Sequence, residues 1–309
     1  MERTEKLEEF MQSVSSCVVC HAPVSKSSTG VIAPFLARRI WNAPSFPAKL
    51  MHCGGCGFKF FNPRLDGDEE KRLYADYRSE EYRELRQSYE PWYSKSFNEG
   101  LSAPIGMKVR KDTLRRVLSP YLAGLQIRTI LDFGGNRGEL IEDLLPNTER
   151  YVFDISNLET LPGIGHLRAK EDCKGRQWDL VICSNVLEHV GDPQRTMEEI
   201  SEIGNKGTLI FVEVPQESPA GLKNIAKRLT QLAILLATRP SIGFRLFRPS
   251  LIYLMHEHVN FFCPEALRHL VDSMHWEIVA DGQYDIRSYK FGIYRVTSGT
   301  MTWCLARKP

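Results

Sequence analysis

The 309 residues are 42% hydrophobic and 25% charged, an ordinary balance for a globular chain with room for one large and one small domain. Forty Lys and Arg against 38 Asp and Glu leave a net charge of +2, which argues against the broad basic footprint of a nucleic-acid binder. The longest apolar run, Leu232 to Ala237, is far too short to cross a bilayer.

The chain begins MERTEKLEEFMQ, which is charged and helical in pattern rather than a secretory leader, so a cytoplasmic protein is expected. Eight cysteines in that compartment point to metal ligands and buried thiols before disulfides. From Cys17 to Arg64 every charged residue is a Lys or Arg. The sign then reverses through Asp66, Asp68, Glu69, Glu70, Asp76, Glu80, Glu81 and Glu84, marking a boundary near residue 65.

Within the first stretch, Cys17-Val-Val-Cys20 and Cys53-Gly-Gly-Cys56 are two knuckles whose thiolates converge on one centre. Cys17, Cys20, Cys53 and Cys56 together make a four-sulfur site with no open position, so structural zinc is expected. Cys17-x-x-Cys20-His21 also fits haem attachment, but the second matching pair favours zinc. Cys173, Cys183, Cys263 and Cys304 lack partner spacing and read as small buried hydrophobes. Residues 17–64 are rich in Cys, Gly, Pro and Ser, with little helical period. Residues 66–125 follow with a helical, aromatic pattern: Tyr74, Tyr77, Tyr82, Tyr89, Trp92 and Tyr93 are spaced among charges.

From Thr129 onward, β-branched runs alternate with helical patterns, the mark of a parallel α/β sheet. Strands are predicted at Thr129–Phe133, Arg150–Ile155, Asp179–Cys183, Thr208–Val214 and Glu277–Asp281. A last hairpin is predicted to join Phe291–Val296 to Met301–Leu305 through Thr297-Ser298-Gly299. Helices fit Gly138–Leu145, Pro193–Ile203 and Pro264–Met274. An insertion at 216–255 carries a basic, apolar helix from Lys223 through Lys227 and Arg228. It reads as a lid over the active site, or as a peripheral membrane contact through 223–248 toward a lipid-linked substrate.

The segment Ile130-Leu-Asp132-Phe133-Gly134-Gly135-Asn136-Arg-Gly138 is a strand ending in an acid, followed by a glycine turn that lets backbone approach a ligand. A nicotinamide fingerprint would want Gly where Phe133 stands. The segment instead resembles the acid-x-Gly-x-Gly-x-Gly loop of class I S-adenosylmethionine-dependent methyltransferases, with Asn136 in place of the central Gly. Asn tolerates a left-handed backbone, so the turn is expected to survive. Asp154, at the end of Tyr151-Val-Phe-Asp154, can accept ribose hydroxyls as in dinucleotide folds. Trp178-Asp179-Leu-Val-Ile-Cys-Ser184-Asn185-Val-Leu-Glu188-His189 is similar to the family's fourth strand and its following loop. The resemblance, which spans residues 105–309, implies a cofactor site of Asp132, Phe133, Gly134, Gly135, Gly138, Asp154, Ile155, Ser184 and Asn185.

Met255-His256-Glu257-His258-Val-Asn260 places three titratable groups in a row before a helix. His258 is a candidate general base, with Glu257 and His256 as its companions. The helical His-Glu-x-x-His spacing of zinc hydrolases is absent. The stretch resembles the Glu-His-x-x-Tyr-Phe segment of bacterial sugar C-methyltransferases, and a four-cysteine module ending in Asn62-Pro63-Arg64 ahead of a methyltransferase domain is similar to sugar-methylating enzymes. Met255 stands where those enzymes often carry Tyr, and their further C-terminal domain is absent from this sequence, so O-methylation is expected at least as much as C-methylation.

The expected fold is thus α/β. It comprises a zinc-binding module at 1–65, a helical connector at 66–104 on the substrate side, and a Rossmann-like methyltransferase sheet at 105–309, mostly parallel with an antiparallel last strand. The expected function is methyl transfer from S-adenosylmethionine to a nucleotide-linked sugar or a glycan. One alternative is an rRNA or tRNA methyltransferase that binds RNA through the basic module, although the near-neutral total charge weighs against nucleic acid. Another is a non-catalytic scaffold of the same fold.

Overall fold

The structure is a computed structural model that describes residues 14–101, 104–219, 221–286, 289–291, 294–296 and 299–309. Its first strands are β1 (Val24–Ile32), β2 (Pro47–Cys53), β3 (Lys59–Asn62), β4 (Thr129–Phe133), β5 (Glu149–Phe153), β6 (Gly165–Leu167) and β7 (Leu180–Ser184). Then follow β8 (Leu209–Pro215), β9 (Leu254–Met255), β10 (Asn260–Phe261), β11 (Glu277–Asp285), β12 (Tyr289–Phe291), β13 (Tyr294–Val296) and β14 (Thr300–Arg307). They divide between two compact units. One takes the chain up to Lys95 with Glu188–Pro193 and Glu217–Ala266; the other takes Ser96–Leu187, Gln194–Gln216 and Leu267–Pro309.

The second unit holds a seven-stranded sheet in the order β11-β14-β8-β7-β4-β5-β6. β4 pairs in parallel with β5 and β7, and β7 in parallel with β8. β14 runs antiparallel between β8 and β11. This is the mostly parallel sheet that the resemblance implied, with the antiparallel strand in place. β4, β7 and β8 are almost wholly buried, as expected of strands covered on both faces. Leu114, Leu118 and Leu122, from the helix Pro104–Leu122, share a core with Ile130, Leu180, Ile182 and Phe211 from the sheet.

Two predicted elements are corrected here. Gly138–Leu145 is not a helix but a run of turns, with Ile141 bonded back to Gly138 and Leu144 back to Ile141. Gly138 sits at φ +87°, a left-handed conformation from which an α-helix cannot start, and Pro146 leaves little length beyond it. Met301–Leu305, in turn, does not pair with Phe291–Val296. Its five side chains are all buried, and such a run needs a partner on each side, which β8 and β11 supply. The short hairpin is formed by β12 and β13, while Thr297 and Ser298 lie outside the described residues.

The first unit contains a five-stranded sheet, β10-β3-β2-β1-β9, where residues 17–64 had shown little pattern. β1 pairs antiparallel with β2 and parallel with β9, setting Ile32 opposite Met255. β10 pairs with β3, setting Asn260 opposite Phe60. The sheet thus draws the segment around 254–261 onto the N-terminal strands. The charge reversal near residue 65 has a local cause. Asp66 caps the helix Gly67–Tyr74 by accepting the amides of Asp68 and Glu69, while Glu69 accepts the amide of Asp66. That is a capping box, which favours acids at a helix start.

Candidate active site

In the second unit, the acid-glycine loop follows β4. Asp132 is 1% exposed, and its Oδ2 has no hydrogen-bond partner among the described residues. Burial, with Asp154, Glu139 and Glu213 nearby, pushes its carboxyl up to about 7 despite the opposing pull of Arg110. Gly135 abuts this carboxylate: a Cβ there would lie 2.4 Å from Asp132 Oδ2. Gly134, at φ +79°, would place its Cβ 2.4 Å from Val186. Both positions therefore require glycine on steric grounds. Asn136 holds φ +55°, as an Asn in that place can.

Asp154 lies just past β5. Its Oδ2 accepts the amide of Asn136 at 2.8 Å, while Oδ1 accepts the amide and hydroxyl of Ser156 at 2.8 and 2.6 Å. One carboxylate thus braces the glycine loop. Ile155 beside it is 40% exposed, and the Phe133 ring packs at 5.2 Å from that of Phe153. Ser184 ends β7 and donates to buried Glu213 of β8. Asn185 follows at φ +55° and donates its amide to the Glu213 carbonyl.

The sequence reading missed three residues in this unit. Arg110 donates to Ser184 Oγ at 2.9 Å and lies 3.7 Å from Glu213, and the Tyr284 hydroxyl donates to the other Glu213 oxygen. Glu213 is buried in an apolar strand run, Leu-Ile-Phe-Val-Glu-Val. An acid inside such a run is itself a sequence signal, because a buried carboxylate requires partners.

The three predicted catalytic residues lie in the first unit and separate into two environments. Glu257 accepts from the Tyr82 hydroxyl at 2.6 Å and from Arg86 at 2.9 Å. Burial alone would raise its pKa, but Arg86 and His256 hold it well below the carboxylate range. His256 Nε2 meets Glu90, and Glu90 also pairs with Arg86 at 3.0 Å. His256 and Glu257 are therefore bound into a buried ion-pair network with the helix Glu80–Tyr89 and the Glu90 that follows it.

His258 has different neighbours. Its Nδ1 lies 2.8 Å from Glu217 Oε2, and its ring stands edge-on to His189 with centroids 4.7 Å apart. Burial would lower the His258 pKa, but Glu217 holds it up at about 9. His189 Nδ1 lies 2.9 Å from the Tyr74 hydroxyl and 3.1 Å from the Glu257 carbonyl. Burial and the neighbouring His258 depress its pKa to about 3. Glu188, 1% exposed, puts Oε1 3.8 Å from His189 Nε2. Glu217 and His189 come from segments 41 and 69 residues before His258, so no local spacing announced them.

A family model described as a methyltransferase domain matches residues 74–281. The chain belongs to this family. It is an S-adenosylmethionine-dependent methyltransferase. No curated protein matches the chain. Among solved structures, it is similar to the 1,6-didemethyltoxoflavin-N1-methyltransferase of Burkholderia thailandensis, at 12% identity and TM-score 0.48, over 84% of this chain and 95% of that one. It is also similar to the magnesium protoporphyrin IX methyltransferase of Synechocystis PCC 6803, at 14% identity and TM-score 0.40, over 66% and 84%.

The methyltransferase also carries the expected cysteine cluster, in its first unit. Cys17, Cys20, Cys53 and Cys56 are free thiols whose sulfurs all lie within 4.8 Å of one another. Cys17 Sγ is 3.8 Å from Cys56 Sγ, and Cys20 Sγ is 3.4 Å from Cys53 Sγ. Four sulfurs at zinc-bond length around one ion would stand about 3.8 Å apart. The amides of Val19, Gly55 and Cys56 point at these sulfurs at 3.3–3.4 Å, the kind of contact that stabilises thiolates. Cys263 packs close by, its thiol donating to the Cys56 carbonyl. Among the described residues, no helix is long and apolar enough to cross a membrane.

Proposed function

We propose that this methyltransferase methylates a sugar, at a hydroxyl or an acidic carbon, on a nucleotide, lipid or glycan carrier. The observation that carries the cofactor half is the buried, unpartnered Asp132 Oδ2 above two obligate glycines. An uncompensated buried carboxylate is costly, and the cationic amino and sulfonium groups of S-adenosylmethionine would offset that cost. Asp154 would take the ribose hydroxyls by its remaining lone pairs, with Phe133, Gly138, Ile155, Ser184 and Asn185 around it. The bound cofactor supplies an electrophilic methyl group.

At the acceptor end we place the His258–Glu217 pair, with His189 beside it. An imidazole whose ring is fixed by a carboxylate is suited to activating an O–H or an acidic C–H for in-line displacement. His256 and Glu257 serve to hold this loop in place. Zinc in the four-cysteine site closes the first unit's N-terminal fold. The sugar assignment draws on the likeness of Cys53–Arg64 and Glu257-His258 to sugar-methylating enzymes.

A lipid carrier fits the surface of the insertion. Phe244 and Phe247 are 71% and 68% exposed and alternate with Arg245 and Arg248, and no acid occurs between Glu217 and Glu257. Aromatic and cationic side chains side by side are suited to an anionic bilayer surface.

Turnover of a nucleotide-sugar and glycolipid panel with a tritiated methyl donor tests the reading. His258→Ala should keep cofactor affinity within about twofold and lose at least a hundredfold in kcat. Absence of S-adenosylmethionine binding at millimolar concentration would sink the catalytic proposal, and a fully active His258→Ala would remove that residue from it.

A further inference from the structure

We infer that Glu188, His189 and His258 form a second metal site, a two-histidine, one-carboxylate set for a divalent first-row cation such as zinc or manganese. The inference rests on the methyl-transfer reading and names how the acceptor would be activated.

The three residues each present a ligand atom, and these atoms lie within 4.8 Å of one another. For donors about 2.1 Å from an ion, neighbouring donors stand about 3.4 Å apart. The 3.8 Å between His189 Nε2 and Glu188 Oε1 is already close to that value. Nitrogen and oxygen donors without sulfur suit zinc, manganese or iron(II) rather than a soft ion.

The surroundings of the two imidazoles are more telling than the cluster itself. A metal-bound histidine nearly always gives its other ring nitrogen to a carboxylate or a backbone carbonyl, which fixes the tautomer and aims the free nitrogen. Both kinds of neighbour occur here. His258 gives Nδ1 to the Glu217 carboxylate at 2.8 Å, and His189 Nδ1 faces the Tyr74 hydroxyl at 2.9 Å and the Glu257 carbonyl at 3.1 Å. Each ring thereby keeps Nε2 for an ion. Tyr74 braces the His189 ring further. The backbone is tied as well, because the amides of Val259 and Asn260 both donate to the Glu188 carbonyl at 2.8 and 3.0 Å. Glu188 and His258 are thus held in one local frame.

Three protein ligands leave positions open for the acceptor, as in catalytic rather than structural sites. Glu188, His189 and His258 would hold the ion, which would supply Lewis-acid activation: a hydroxyl on it would pass its proton to water more readily and become a better nucleophile toward a methyl donor, whose sulfur would leave as the S–CH3 bond breaks. With an ion bound, His258 would serve as a ligand and the proton would pass to water; with none bound, His258 is the base of the methyl-transfer reading.

The test uses the full chain, stripped of metal under reducing conditions and titrated with Co2+. The expected result is two equivalents with different spectra. The four-thiolate site gives intense sulfur-to-cobalt charge transfer in the near ultraviolet, and the second site gives only weak visible bands. His189→Ala, His258→Ala and Glu188→Gln should each remove the second equivalent, weakening it at least a hundredfold while leaving the thiolate signal intact as evidence of folding. A single equivalent in the wild-type chain, or a second one that persists in all three variants, overturns the inference. Calorimetric S-adenosylmethionine binding on the same samples separates the two proposals. Cofactor binding with no second cobalt leaves methyl transfer standing without the metal, whereas loss of cofactor binding strikes at methyl transfer itself.

Discussion

Asp132 is held at a cost that a single substitution should expose. Its folded-state pKa of about 7 stands roughly three units above that of a carboxylate in an unfolded chain, on the order of 4 kcal/mol at 1.4 kcal/mol per unit. The sign follows from proton counting. Between about pH 4 and pH 7 the folded chain keeps a proton that the unfolded chain has lost, so stability falls as pH rises and levels off above 7. Asp132→Asn keeps the shape and removes the charge. It should match the wild type near pH 4 and be more stable at pH 8, by up to about 4 kcal/mol. For the unit that carries Asp132 this corresponds to a midpoint increase of up to roughly 8–16 °C. Under the proposed cofactor role the same variant should bind S-adenosylmethionine at least tenfold more weakly. Wild-type affinity should rise with pH by up to tenfold per unit until about pH 7, because the ionised carboxylate binds the cationic ligand, and the variant should lose that dependence. Thermal melts across pH 4–8 with calorimetry at matched pH decide the matter. The reasoning is refuted if the stability difference does not vary with pH, or if the variant binds cofactor as tightly as the wild type.

Three further outcomes can be checked independently. Cys56→Ser should lower bound zinc by one equivalent, measured by mass spectrometry of metal content, and cost the first unit at least about 2 kcal/mol, because the metal contributes directly to folding. Gly191→Ala should destabilise the same unit by about 3 kcal/mol in urea unfolding, since a Cβ there would lie 1.7 Å from the Leu65 carbonyl oxygen. The double variant Phe244→Ser and Phe247→Ser should reduce co-sedimentation with anionic phosphatidylglycerol vesicles at least tenfold, with melting temperature unchanged. Equal binding by wild type and double variant would remove the membrane reading of the insertion.

What the sequence disclosed was whatever a few neighbouring residues dictate. The turn from β4 into Gly134 and Gly135 is local chemistry: a strand, an acid and glycines that steric contact makes obligatory. Each Cys-x-x-Cys pair likewise fixes two sulfurs within one turn. The five-stranded sheet left no such trace, because the first half of β1 is exposed without alternation, Ser25, Lys26 and Ser27 in a row, and β1 borrows β9 from more than two hundred residues further on. The predicted hairpin at 291–305 failed for a related reason. Met301–Leu305, apolar but for Thr302, has no clear period to tell an edge strand from a central one, and burial decided for the centre. Gly138 misled in another way: its place at the start of an apolar pattern suggested a helix, while its left-handed backbone ruled one out.

The same distinction explains why His256-Glu257-His258 was read as one catalytic group when its members do different work. The chain leaves β9 after Met255 and bends at Glu257 rather than continuing as a strand, so three titratable groups in a row need not share an environment. His256 and Glu257 meet Glu90, Arg86 and Tyr82, where charge is matched by charge and little is left for a ligand. His258 meets Glu217, His189 and Glu188, contributed by separate stretches of chain, and it is here that imidazole nitrogens are aimed by their neighbours and left available. Glu257 links the two environments, its carboxylate held by Arg86 and its carbonyl facing His189. Glu257→Gln should therefore act through position rather than chemistry: weakening the Arg86 contact loosens the carbonyl that orients His189.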